Sequence, residues 1–165
     1  MKKASDLCID LAASGLKVGY IPVASGTFGT LIAVPFVVLS RIYFSELLYF
    51  FITLLVLIIS IFIADRAEKI YKEKDSSKIV IDEIAGYFTA CLFLPSTHWD
   101  FFVMAFFIFR FFDIVKLWPA NYFDKKEGGL SIVLDDFFAG AYTLLILQIY
   151  FFLRVVFLVA IGVGG

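Results

Sequence analysis

Histidine is nearly absent from this chain of 165 residues, cysteine and proline are scarce, and charge is thin. The one histidine, His98, cannot make a His-Glu-x-x-His zinc hydrolase. It also falls on the side of the chain opposite the acidic clusters, which excludes histidine phosphoenzyme chemistry beside them. Two cysteines, Cys8 and Cys91, are too few for a disulfide scaffold, and their spacing matches no zinc knuckle. Four Pro and 11 Gly against 21 Phe exclude a collagenous, linker-rich or disordered chain. No Gly-x-x-x-x-Gly-Lys-Ser/Thr loop is present, which argues against ATP hydrolysis. A net charge of -1 gives no bulk attraction to nucleic acid. Charged residues make up 18% of the chain, where a soluble domain carries about 25%.

In their place stands hydrocarbon. The chain is 62% hydrophobic with a mean hydropathy of +0.96. Its length suits a single domain over residues 1–165. Leu47 to Ala64 is free of charge and long enough to nearly cover a bilayer core. Phe28 to Phe44 is apolar but for Arg41 and contains Pro35, a candidate kink. These two runs predict a helical hairpin turning around Tyr43–Glu46. Ile79 to Leu94 is a third run, broken only by Asp82 and Glu83. A turn comes next at Pro95–Asp100, then a fourth run from Trp99 to Trp118 and a last from Phe137 to Val163. The stretch Ala4–Leu16 is short and polar on one side, so it predicts an interfacial helix. The motif after this stretch is not a small-residue cleavage site, so it does not read as a signal peptide. The expected fold is an all-α, polytopic helical membrane protein with about five spans. A soluble bundle of this length has too small a core to hide these runs.

All but two of the 14 Lys and Arg residues fall on one side of this arrangement, the exceptions being Arg41 and Arg154. The positive-inside rule places that side in the cytoplasm. All but two of the 15 acids, Glu46 and Asp100, share it. The rule does not require this of acids, so they point to chemistry.

Four segments meet at that face. Gly19 to Thr30 offers Gly26 and Gly29 for close backbone approach, with Thr27 and Thr30 at a helix start whose free N–H groups suit a phosphate. Ordinary capping is the plainer account of that segment taken alone. Asp82 and Glu83 open an apolar helix, where burial of two carboxylates calls for a cation or hydrogen-bond donors. Hard oxygen ligands there suit Mg²⁺ beside a phosphate; dipole-favoured capping explains one acid but not two. Arg110, Asp113 and Lys116 share one helix face, as a salt-bridge ladder or as a phosphate clamp with a forked guanidinium and a mobile ammonium. Asp135 and Asp136 form a second pair entering an apolar helix, and Asp65 is a candidate further carboxylate where the second run ends. This set fits hydrolysis of a phosphate monoester by carboxylate-held Mg²⁺, with Arg110 and Lys116 balancing charge on the phosphoryl group. Water or an aspartate serves as nucleophile, and the residues leave that choice open.

In these segments Gly-Tyr-Ile-Pro-x-x-x-Gly-Thr-Phe-Gly-Thr, Ile-Val-Ile-Asp-Glu-Ile-x-Gly, Phe-Arg-Phe-Phe-Asp-Ile-x-Lys-x-Trp-Pro and Gly-Gly-x-x-x-x-x-Asp-Asp-x-x-Ala-Gly succeed one another. In that order they resemble the phosphatidylglycerophosphatase A family, from about Asp6 to Tyr142. The resemblance implies a helical, Mg²⁺-dependent enzyme of the bacterial inner membrane. Its reaction would release the terminal phosphate of phosphatidylglycerophosphate at the cytoplasmic face, giving phosphatidylglycerol. It carries to Gly26, Thr27, Gly29 and Thr30 for phosphate, shared with Arg110 and Lys116. Asp82, Glu83, Asp113, Asp135 and Asp136 are carried over as catalytic or metal-binding acids, and Asp65 and Asp75 match acidic positions of the linking segment. One departure is Ser25 where the family has proline, which loosens a turn and removes no ligand. The implied partners are the lipid and the bilayer, with no nucleic acid and no obligate protein partner. Two other classes compete. A transporter with a charged vestibule predicts charge along every span, against the charge-free second run. A lipid phosphotransferase predicts an Asp-x-x-Asp-Gly-x-x-Ala-Arg pattern that is missing.

Overall fold

The computed structural model describes residues 4–94 and 98–161. Lys2, Lys3, the turn residues Pro95, Ser96 and Thr97, and the expected end of the last run at Val163 lie outside the described residues. Among those described the chain is all helix, with no strand. Helix α1 is Ala4–Ala13, followed by a single 3₁₀ turn at Val18–Tyr20. Then come α2 (Ser25–Tyr43), α3 (Glu46–Tyr71), α4 (Ile81–Ala90), α5 (Trp99–Val115), the short α6 (Ala120–Phe123) and α7 (Gly129–Ala160).

The expected hairpin forms where the sequence places it. Ser45 caps α3, its Oγ accepting from the Leu48 amide at 3.3 Å. Helix α2 runs through Pro35 without a break in its helical assignment. Among the described residues three helices are long and apolar enough to cross a membrane: α2, α3 and α7, with mean hydropathies of 1.5, 3.0 and 2.3. The third apolar run is shorter as a helix than as a sequence. Its 10 helical residues in α4 span about 15 Å, half of a hydrocarbon core. Helix α5, with 17 residues, covers about 25 Å. Helix α7 starts at Gly129, well before the expected Phe137, so Asp135 and Asp136 sit two turns inside a helix rather than at its mouth.

Helix α4 packs chiefly on α7, and small residues set the distance. A Cβ on Gly140 would lie 2.4 Å from the Gly86 carbonyl oxygen, and one on Gly86 would lie 2.9 Å from Cβ of Asp136. Backbones that close bring the start of α4 against the acidic turn of α7. Above this crossing the core holds the fully buried Tyr49, Tyr87, Phe101, Phe109 and Leu147. The two phenols are satisfied by main-chain carbonyls, Tyr49 donating to Phe88 and Tyr87 to Phe102, each at 2.9 Å. Outside, Leu55, Phe62, Phe107 and Phe157 are exposed along with many other large apolar side chains, a surface suited to lipid.

The far end is tied by Arg41, which is buried and not a loop charge. It donates to the Leu94 carbonyl at 2.9 Å and pairs with Glu46. Arg154 faces Asp100 at 3.8 Å. At the near end the N-termini of α2, α4 and α7 gather with the C-termini of α3 and α5, and the charged segments meet there.

Candidate active site

A cleft of about 620 Å³ opens at this near end. Its walls are the start of α2, residues 75–79, the end of α5 and the acidic turn of α7. Asp82 and Glu83 stand in the first turn of α4, and Asp136 faces them from α7 across the glycine crossing. One oxygen from each of these three carboxylates lies within 4.8 Å of the others. Asp82 and Asp136 are buried, and Asp82 Oδ1 and Glu83 Oε2 have no hydrogen-bond partner. Three carboxylates so close, with buried oxygens unmatched, are unfavourable unless a cation joins them. An all-oxygen donor set is the chemistry that Mg²⁺ prefers, so the residues present fit that ion.

Beside the acids stands Arg110. Its guanidinium pairs with Asp113 at 2.5 Å, one turn along α5, and reaches Thr30 Oγ1 at 3.5 Å. Thr30 in turn donates to the Gly26 carbonyl at 2.9 Å, which fixes its hydroxyl on the start of α2. That start is bare: Ala24, the residue before α2, is left-handed (φ 53) and offers no side-chain cap. The first amides of α2 therefore border the cleft beside Arg110. Gly26 is where backbone and functional groups come closest. A Cβ there would lie 2.1 Å from Glu83 Oε1 and 3.1 Å from both terminal nitrogens of Arg110.

Other expected residues take different places. Gly29 is packing, since a Cβ would meet Val80 Cβ at 2.6 Å, and Thr27 is half-buried outside the cleft lining. Lys116 is not a mobile charge. Its ammonium is held by Asp135 Oδ2 at 2.5 Å and by Asp124. Asp135 lines the cleft but stands outside the group of three oxygens, with its Oδ1 unpartnered. Asp65 stands apart from the three carboxylates: it pairs with Lys69 at 2.6 Å and lines a separate hollow with Glu68 and Gly128. Asp75 does line the cleft, from a left-handed position (φ 43).

Three groups are found only in the structure. Asp124 shares Lys116 with Asp135. Glu68 accepts from the amides of Asp75 and Gly128, each at 3.0 Å, tying the cleft loop to the start of α7. Asp10, buried on α1, accepts from Lys17 at 2.5 Å, Tyr20 at 2.8 Å and Tyr71 at 2.7 Å. This trio holds the stretch of chain that includes the cleft-lining Tyr20. The signal in the sequence was a lone acid between Ile9 and Leu11.

The phosphatidylglycerophosphatase A family model matches residues 11–151. The chain belongs to the phosphatidylglycerophosphatase A family. Similar proteins include the phosphatidylglycerophosphatase A of Escherichia coli strain K12, 34% identical over 79% of this chain and 76% of that one. The Haemophilus influenzae protein of the same name is 32% identical over 84% and 85%. A Bacteroides thetaiotaomicron protein, provisionally named a phosphatidylinositol-3-phosphatase, is 32% identical over 90% and 96%. No solved structure matches this chain. Membership of the family makes the chain a membrane-associated phosphatase.

Proposed function

We propose that this protein hydrolyses the terminal phosphomonoester of phosphatidylglycerophosphate, with Mg²⁺ as cofactor, giving phosphatidylglycerol and inorganic phosphate. The observation that carries the reading is the meeting of two charge sets in one cleft. Asp82, Glu83 and Asp136 converge there, and the Arg110 guanidinium stands beside Glu83 at the start of α2. The family supports the substrate, and two similar proteins bear its name.

Asp82, Glu83 and Asp136 would hold the ion, which when bound supplies positive charge against the phosphate oxygens. Arg110 forks onto the phosphoryl group, with Asp113 holding the guanidinium in place. The bare amides of α2 add donors on the same side. Asp135, with Oδ2 tied to Lys116 and Oδ1 free, accepts the proton of an attacking water. Water oxygen bonds to phosphorus, the bond from phosphorus to the glycerol oxygen breaks, and that oxygen takes up the proton Asp135 received and leaves as the alcohol. The acyl chains stay in the bilayer while the headgroup enters from its edge. The charge asymmetry of the loops supports a cleft open to the cytoplasm.

The test is phosphate release by purified protein in detergent, with Mg²⁺ or EDTA, alongside Asp82→Ala. Phosphatidylinositol 3-phosphate runs in parallel because of the Bacteroides relative. Faster release from phosphatidylglycerophosphate, dependent on both Mg²⁺ and Asp82, is expected. Release retained in EDTA removes the metal, and faster release from the inositol lipid reassigns the substrate. For orientation, Cys8 and Cys91 are replaced by Ala and a cysteine is placed at Ser77. An impermeant maleimide should label it only in opened cells, and labelling in intact cells reverses the topology.

A further inference from the structure

We propose that the seam between α2 and α5 seats one acyl chain of the lipid whose phosphate enters the cleft. This rests on the proposed lipid phosphatase activity and adds where the hydrophobic part of the substrate lies. An apolar groove of about 260 Å³ runs along this seam, lined by Leu31, Val34, Phe102, Val103, Phe106 and Phe107. Phe102 is buried and forms its floor, while Leu31, Val103 and Phe107 are exposed and form its walls. It is a hollow between helices rather than one more oily surface, and it is too small for a folded drug-sized ligand.

The groove and the cleft belong to one stripe. On α5, Val103, Phe106, Phe107 and Arg110 succeed one another at helical spacing, and Ile114 continues the stripe into the cleft lining. On α2, Gly26 lines the cleft and Leu31 and Val34 line the groove further along the helix, with the buried Thr30 between them. Arg110 touches Thr30 at the point where the seam turns from polar to apolar. The seam therefore presents donors at one end and hydrocarbon a turn or two beyond, the order of a phospholipid read from headgroup to tail. That order commits the groove to the substrate's own chain rather than to a second protein.

Lipid tails are as apolar as the groove, so seating a chain there adds little affinity over the bilayer. Its contribution is register: a chain held in the seam aims its headgroup at Arg110. Blocking the groove then lowers turnover of long-chain substrate more than it weakens binding.

The experiment compares dioleoyl and dihexanoyl phosphatidylglycerophosphate in wild type, Leu31→Trp and Val103→Trp. Leu55→Trp, on the lipid face of α3, is the control. The ratio of long-chain to short-chain turnover should fall on the order of tenfold in the groove variants and hold in the control. An unchanged ratio overturns the proposal. A second measurement does not need turnover. Phosphatidic acid with a photoreactive group on its acyl chain should label segments 28–34 and 102–109 more than the phosphatidylcholine analogue does. Segment 54–59 should take both alike. Equal labelling everywhere leaves only bulk lipid at the seam and overturns the proposal. If wild type cleaves neither substrate, the activity reading fails, and the labelling alone decides whether a phosphomonoester lipid sits there.

Discussion

Gly26 lies so close to Glu83 that a single added carbon would collide with the carboxylate, at 2.1 Å from Oε1. The same carbon would crowd the Arg110 guanidinium at 3.1 Å. A glycine here lets the start of α2 border the acids and the guanidinium at once.

Gly26→Ala separates catalysis from folding. Alanine is the better helix former by about 1 kcal/mol, which offsets part of the strain of displacing Glu83. Turnover should fall on the order of 10²-fold while the thermal midpoint shifts by no more than about 5 °C. Parallel kinetics and melting curves check this. Full activity in the variant would mean that Glu83 and Arg110 do not act from the positions seen.

Arg110→Lys keeps the charge and loses the fork. Lysine cannot meet Asp113, Thr30 and a phosphate together, so kcat should drop by roughly 10²–10³. Activity within about tenfold of wild type would make Arg110 a simple counter-charge.

The four polar segments and their meeting at one end were legible in the sequence, because acids inside apolar runs have few structural reasons to be there. So was the hairpin, from Ser45 and Glu46 between two oily runs. The hidden part is angular. Asp65 comes towards the end of its helix where Asp82, Glu83, Asp135 and Asp136 come near the start of theirs, and it pairs with Lys69. Lys116 looked free because its captors, Asp124 and Asp135, are distant in the chain. The glycine contact of α4 with α7 sets which acids converge. Only the packed helices show that Gly86 and Gly140 face each other.

Asp136→Asn tests the cation through stability. Without metal, three crowded carboxylates repel, so removing one charge should raise the melting point in EDTA. With Mg²⁺ at about a hundred times its dissociation constant, wild type should gain on the order of 2.7 kcal/mol, and the variant far less. Scans with and without Mg²⁺ read both signs. A variant that melts lower in EDTA and still gains fully from Mg²⁺ would remove Asp136 from the ion site.

Asp10 gives a pH signature away from the cleft. Burial alone would raise its pKa, but hydrogen bonds from Lys17, Tyr71 and Tyr20 outweigh it and hold the carboxyl well below the usual range. A folded value below the unfolded one, about 3.9, contributes stability that is complete above the unfolded pKa and is lost as pH falls through the folded one. Asp10→Asn keeps the shape and loses the charge-assisted bonds, at a cost of about 1.5–3 kcal/mol at neutral pH. The gap between the wild-type and variant melting points should therefore be constant from about pH 7 to pH 5 and shrink by about pH 3. Tyr20 lines the cleft, so the variant should also raise KM for the lipid more than it lowers kcat. A gap that closes already between about pH 7 and pH 5 would show that another group supplies the stability, and that the anchor of Tyr20 lies elsewhere.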